Sequence, residues 1–227
     1  MINQGMLIPI MQSDWATPAH FVRKNNGKIT VVGDYKNTVN PEIKDSEYPT
    51  PTVSEAFATL NGGKIFSQIV LQNAYKQLRV DDQTSEILTI STRIGLFRVT
   101  RFLDGLTAAP RIFQNFMTKI LQGIQGVQIY IDDIKIQGRS KEEHDKRIKE
   151  VLKRLHEANL KINVEKSVFS VKTMDFLGHT SSEEGISPIK NKLKAIEQIP
   201  VPKDKKDLQI TIKNGNGETR SNEPSQT

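Results

Sequence analysis

The twelve residues Val127–Gly138 (VQIYIDDIKIQG) restrict the fold more than any other stretch of this chain. Val127, Ile129 and Ile131 alternate with polar residues, and Ile134 and Ile136 alternate again after an acidic pair. A period of two belongs to β-strands. Two such runs meeting at Asp132-Asp133 predict a β-hairpin with both carboxylates at its turn. Adjacent carboxylates repel unless something positive compensates them. Hard oxygen ligands suit Mg2+, so a magnesium site is one reading of the pair. The other is a solvated acidic turn, since Asp is common in turns.

The flanking sequence supplies elements of both kinds. Ala19–Arg23 and Lys28–Val32 are β-rich runs separated by Asn25-Asn26-Gly27, a strong hairpin signal. Arg23, Lys24 and Lys28 cluster at its tip, either as a solvated end or as a basic finger for phosphates. Thr52-x-x-Glu55 is a capping box that opens a short helix, which Asn61-Gly62-Gly63 ends. Ile65–Leu71 reads as a buried strand, 73–78 as a short helical turn, and Ile87–Thr92 and Leu96–Phe102 as two more strands. Thr107 is placed to cap a helix with Pro110 in its first turn and an apolar stripe from Ile112 to Leu121. Ser140-x-x-Glu143 opens a long helix whose lysines and arginines form a solvated outer face. Strands are expected over Lys161–Val171 and Met174–His179, and a helix over Pro188–Ile199. The polar stretch 209–227 has the composition of a disordered tail.

Composition removes several function classes. The chain has no cysteine, which excludes a disulfide framework, a zinc knuckle and a thiol nucleophile. No apolar run approaches the ~20 residues that span a bilayer. Met1–Met11 lacks a basic start and a small-residue cleavage site, so no signal peptide is read and an intracellular location is expected. The net charge of +6 fits a nucleic-acid partner without requiring one.

The ordered motifs resemble the reverse transcriptases of gypsy-type long-terminal-repeat retrotransposons. They begin with Ser13-Asp14-Trp15-Ala16-Thr17-Pro18, Gly33-Asp34-Tyr35 and Tyr48-Pro49-x-Pro51. Ala74-Tyr75-x-Gln77-Leu78, Gly95-Leu96-Phe97 and Gly105-Leu106-Thr107-x-Ala109-Pro110-x-x-Phe113-Gln114 follow. Tyr130-Ile131-Asp132-Asp133, Phe176-Leu177-Gly178-His179 and Glu184-Gly185-Ile186 complete the series. The resemblance runs from about Leu7 to about Leu208.

That resemblance implies an α+β right-hand polymerase fold: fingers over 1–60, palm with the remaining fingers over 61–182, and the start of a thumb over 183–208. It implies RNA-directed DNA synthesis by two-metal nucleotidyl transfer, with Mg2+ as cofactor and a primer–template and deoxynucleoside triphosphates as partners. Asp132 and Asp133 take the metal-ligand positions. Tyr75 matches the residue that crowds the sugar 2′ position, and Lys24 a triphosphate contact. Gly105 and Gln114 join the substrate-binding set. Phe176, Leu177, Gly178 and His179 match a primer grip.

The pattern breaks at three sites. The family places its first catalytic aspartate where this chain has Val70, in Phe66-Ser67-Gln68-Ile69-Val70-Leu71. Valine offers no oxygen to a metal. An expected arginine is Thr30, and the family's Pro-Phe-Gly is Leu103-Asp104-Gly105, whose added negative charge should repel triphosphate. The resemblance also implies a chain that stops as the thumb begins. The expectation is a truncated, degenerate copy with impaired or no polymerase activity. A non-catalytic nucleic-acid-binding remnant and an active polymerase are the alternatives. Oligomeric state is not indicated.

Overall fold

The computed structural model describes residues 1–23, 27, 29–43 and 52–189. Lys24, Asn25-Asn26 and Lys28 of the expected hairpin tip lie outside them, as do the Tyr48–Pro51 motif, residues 190–199 of the expected last helix and the tail 209–227. The elements in chain order begin with β1 (Leu7–Ile10), β2 (Thr17–Arg23), β3 (Ile29–Gly33), α1 (Val53–Leu60) and β4 (Ile65–Val70). Next come α2 (Asp82–Ile87), β5 (Ile90–Thr92), β6 (Gly95–Val99), α3 (Ala109–Leu121), β7 (Val127–Tyr130) and β8 (Asp133–Gly138). The last are α4 (Lys141–Glu157), β9 (Val168–Val171), β10 (Met174–Phe176), β11 (His179–Ser182) and β12 (Gly185–Pro188). No helix among the described residues is long and apolar enough to cross a membrane.

The chain crosses between two sheets. A five-stranded sheet runs β1-β6-β5-β2-β3 and joins residues 7–33 to residues 90–99. A four-stranded sheet runs β7-β8-β4-β9 and carries the acidic hairpin. Strands β10, β11 and β12 form a third, smaller sheet.

Several local expectations change. The strand expected over Ile87–Thr92 is shorter. The Asp81 carboxylate accepts the Thr84 amide at 2.7 Å and caps α2, so the strand starts only at Ile90. Leu7–Ile10 is a strand that the sequence reading left unassigned; its Pro9 is tolerated because β1 lies at the sheet edge. Thr107 does not cap α3. Its amide and hydroxyl both bond Asn40 Oδ1, at 3.1 and 3.2 Å, and the helix begins beyond Ala108 without a side-chain cap. Only Val168–Val171 of the expected 161–171 segment forms a strand, because Asn163 caps a short 3-10 turn at Val164–Lys166. Pro188 ends β12 rather than opening a helix, and β12 pairs with β11. Residues 185–188 therefore share a sheet with 174–182, across the expected boundary at 183. The capping box at Thr52 forms as expected, with both reciprocal bonds present.

The four-stranded sheet positions the site. Its one face carries Ile69, Ile129, Ile134 and Ile136, which pack with Phe113, Met117 and Leu121 of α3 and Val151 and Leu155 of α4 in the main core. This is ordinary burial of an alternating apolar set against amphipathic helices. The other face carries Phe66, Gln68, Tyr130, Asp133, Lys135 and Gln137, by the same alternation. Phe66 lies in a second cluster with Ala56 and Leu60 of α1 and Met174 and Phe176 of β10. That second face is polar in sequence, yet Lys135 and Gln137 are buried on it.

Candidate active site

The acidic pair is split by the turn. Tyr130 and Asp133 form the last β7–β8 pair, so the two turn residues are Ile131 and Asp132. The alternation in sequence places both carboxylates at the turn. Instead Asp132 is exposed at the tip, while Asp133 is the half-buried first residue of β8. Ile131 has φ 56, a left-handed conformation that β-branched residues avoid. Gln114 holds it there: its Oε1 accepts the Ile131 amide at 2.8 Å, and its Nε2 donates to the Ile129 carbonyl at 3.0 Å. The Leu71 amide adds a bond to the Asp132 carbonyl at 3.1 Å. The tip is thus fixed from α3 and from the end of β4.

Val70 stands directly across the ladder from Asp133. Directly opposed residues share a face, with Cβ atoms roughly 4.5–5.5 Å apart. Both of its backbone groups are anchored, the amide to Ser167 Oγ at 3.0 Å and the carbonyl to the Asn163 amide at 2.7 Å. The position faces Asp133 but brings only methyl groups to it.

Beneath Asp133 the buried polar groups Gln68 and Lys135 are partnered, while Gln137 Oε1 on the same face has no hydrogen-bond partner. Gln68 Nε2 donates to Asp133 Oδ1 at 3.2 Å, and Gln68 Oε1 accepts from Lys135 Nζ at 2.6 Å. Lys135 is 2% exposed. It also reaches the Asp175 carbonyl at 3.3 Å and lies 5.3 Å from the centre of the Phe176 ring. Burial pushes the Asp133 carboxyl up from its ordinary pKa; the Lys135 charge opposes this and the Asp132 charge adds to it. Burial likewise pushes Lys135 down, against the pull of Asp133 and Asp175. Gln68 and Lys135 were missed in the sequence because a polar residue in an alternating strand reads as a solvent-facing one.

Beside the turn lies a cavity of about 140 Å³, lined by Asn73, Ala74, Tyr75, Lys76, Asp104 and Asp132. The Tyr75 ring meets Phe113 edge-on at 5.6 Å. Burial, and then the charges of Asp132 and Asp104, push its phenol pKa up. Asp104 is not the isolated negative charge expected from the sequence: its Oδ2 lies 3.0 Å from Lys76 Nζ. It also lines the same cavity as Asp132, although the two belong to different elements.

Gly105 and Gln114 are not among the cavity-lining residues. Gly105 has φ 109, and a Cβ there would sit 2.1 Å from the Gly33 carbonyl oxygen. Gly33 in turn lies under the Tyr35 ring, so the Gly33-Asp34-Tyr35 and Gly105 motifs are two sides of one backbone contact. Thr30 is buried on β3.

The hairpin β10–β11 turns through Leu177 and Gly178, with φ 46 and 81. Two positive φ values in a two-residue loop match a type I′ turn. Phe176 meets Tyr130 edge-on at 5.9 Å and Phe57 at 6.0 Å, and His179 meets Phe57 at 4.8 Å. Phe176 therefore packs on Tyr130, the residue that precedes the acidic turn, and His179 on Phe57 of α1.

The donor set does not fit a pair of metal ions. Among the described residues no group of three or more His, Cys, Asp or Glu side chains is placed to hold a metal. The turn offers two carboxylates, and one of them is already engaged by Gln68.

Comparison with known proteins adds the following. The family described as reverse transcriptase (RNA-dependent DNA polymerase) matches residues 23–181. An uncharacterized protein of Caenorhabditis elegans is 37% identical over 208 residues, covering 91% of this chain and 16% of that protein. The transposon Tf2-3 polyprotein of Schizosaccharomyces pombe is 34% identical over 212 residues, again covering 91% and 16%. The chain thus spans about one sixth of the length of these relatives. Among solved structures, a foamy viral protease-reverse transcriptase in complex with dsDNA superimposes with a TM-score of 0.80 at 26% identity, covering 96% of this chain and 45% of that one. The same protein in complex with an RNA/DNA hybrid gives a TM-score of 0.75 at 25% identity, covering 93% and 28%.

Proposed function

This chain belongs to the reverse transcriptase (RNA-dependent DNA polymerase) family, and from that premise we propose that it is a retrotransposon-derived domain keeping a primer–template surface but little or no polymerase activity. Its fold is an α+β polymerase fold. The observation that carries the proposal is Val70 facing Asp133 where the family pattern writes a third carboxylate. Mg2+ is the cofactor of an active copy. The carboxylates available here leave it without the bridging ligands that two ions ~3.5–4 Å apart require.

The proposed roles follow the family positions. Asp132 and Asp133 mark the former metal site, and Tyr75 the sugar side of the nucleotide cavity. Lys24 is the proposed triphosphate contact. Gly105 acts through its close backbone contact with Gly33, next to the cavity-lining Asp104, and Gln114 acts through the turn it braces. The hairpin Phe176–His179 is the proposed primer grip, within a palm that continues to about 182. Fingers, palm and the first residues of a thumb remain the proposed division of the chain. The foamy viral complexes with dsDNA and with an RNA/DNA hybrid support a primer–template duplex as partner.

Two measurements test this. Binding of the chain to an RNA/DNA primer–template should weaken with salt, with a log–log slope steeper than about −2, because each neutralised phosphate releases counterions. Magnesium should not strengthen binding at constant ionic strength. A slope near zero removes the duplex from the proposal, and robust primer extension by the unmodified chain removes the loss of activity. The cavity is tested separately. Asp104→Asn leaves Lys76 without its anionic partner and takes one negative charge from the cavity. It should raise affinity for a fluorescent deoxynucleoside triphosphate ~3–10-fold, a modest Coulomb gain at a solvent-screened site. Unchanged affinity would dissociate this cavity from the nucleotide.

A further inference from the structure

A lysine that is 2% exposed, on the same strand face as a half-buried aspartate two residues earlier, is an uncommon arrangement. Fully buried lysines are rare unless paired. Here the ammonium has three distinct contacts: Gln68 Oε1 at 2.6 Å, the Asp175 carbonyl at 3.3 Å, and the Phe176 ring at 5.3 Å. The Gln68 amide turns its other end to Asp133 Oδ1 at 3.2 Å. Gln68 thus bridges the ammonium to the carboxylate through two hydrogen bonds, and Lys135 itself ties β8 to the β10–β11 hairpin.

We propose that Lys135 is an internal counter-ion of the Asp132-Asp133 turn, holding it in shape against the Met174–Ser182 hairpin with no divalent cation bound. The proposal deepens the functional reading above and rests on the turn being a former metal site. A divalent ion normally offsets the repulsion between neighbouring carboxylates from the solvent side. Lys135 offsets it from inside the sheet, through Gln68. The same contacts give Lys135 a positioning role for the hairpin proposed as the primer grip, since Asp175 and Phe176 belong to β10. The turn should therefore be pre-formed and insensitive to magnesium.

The test is a double-mutant cycle on the 227-residue chain, read by thermal unfolding in millimolar MgCl2 and in KCl of equal ionic strength. The unmodified chain should show the same Tm in both. Lys135→Met keeps the apolar stem and removes the charge. It should lower Tm by roughly 5–15 °C, as breaking a buried pair does, and magnesium should restore part of the loss. Asp133→Asn added to Lys135→Met should recover at least half of it, because the carboxylate no longer needs a counter-ion. A purely packing role for Lys135 moves neither magnesium dependence nor the coupling. The proposal is overturned if Lys135→Met leaves Tm unchanged, or if Asp133→Asn gives no recovery. It is also overturned if neither variant folds, or if the unmodified chain responds to magnesium as strongly as Lys135→Met. Strong polymerase activity in the unmodified chain would instead overturn the functional reading and leave this coupling measurable.

Discussion

Val70→Asp is expected to make the stability of the chain depend on magnesium and to raise primer extension on an RNA template at least ~100-fold over the unmodified chain. The magnitude follows from metal sites in general: losing even an outer-shell partner of a ligand costs 10–100-fold, and a direct ligand should cost more. The position is ready for the change. Val70 lies opposite Asp133, with its amide and carbonyl both anchored, so a new carboxylate would join the face that already carries Asp133. Without a divalent ion, three carboxylates in that space repel, and Tm should fall. With magnesium near 100 times its dissociation constant, binding returns about 2.7 kcal/mol, and Tm should recover. Equal extension by the unmodified chain and the variant would show that the missing aspartate is not what limits activity. A variant that gains magnesium binding but no extension would shift the cause to the Lys76–Asp104 pair and Thr30.

Phe113→Ala should have the largest effect on stability, a loss of about 3–5 kcal/mol, or ~6–20 °C in Tm. Phe113 is fully buried and meets Tyr75 edge-on at 5.6 Å and Phe116 at 6.5 Å. Its removal leaves a cavity between α3 and Tyr75. The next residue, Gln114, holds Ile131 in its left-handed conformation, so a loosened α3 also loosens the acidic turn. Phe113→Leu, which keeps most of the volume, should cost less than about 1.5 kcal/mol. Thermal unfolding of the two variants checks both figures. An alanine variant within about 1 kcal/mol of the parent would mean that α3 does not depend on this contact.

Much of the architecture was readable from local chemistry. Alternation gave the β7–β8 hairpin, Thr52 and Glu55 gave a complete capping box, and the stripe Phe113, Met117, Leu121 gave the buried face of α3. Two of the differences share one cause, competition from partners distant in sequence. Thr107 carries good capping chemistry but is claimed by Asn40, 67 residues away. Leu7–Ile10 becomes a strand only because β6 offers it an edge. The Asp81 cap is local but sits in a polar run to which the sequence assigns no element, and the last residue of α2, Ile87, falls in the expected strand.

At the site the division is sharper. The sequence by itself determined the two carboxylates, their place near a hairpin turn, and the absence of an oxygen at Val70, because these are properties of residue types and their order. Only the tertiary structure decided which carboxylate sits on the tip and which in the strand, since one residue of register moves a side chain to the other face. It alone paired Asp104 with Lys76, and it alone buried Lys135. A polar residue in an alternating strand faces water or interior according to what packs above it. Here α1 and the β10–β11 hairpin close that face, and the lysine finds its partners in Gln68, Asp175 and the ring of Phe176.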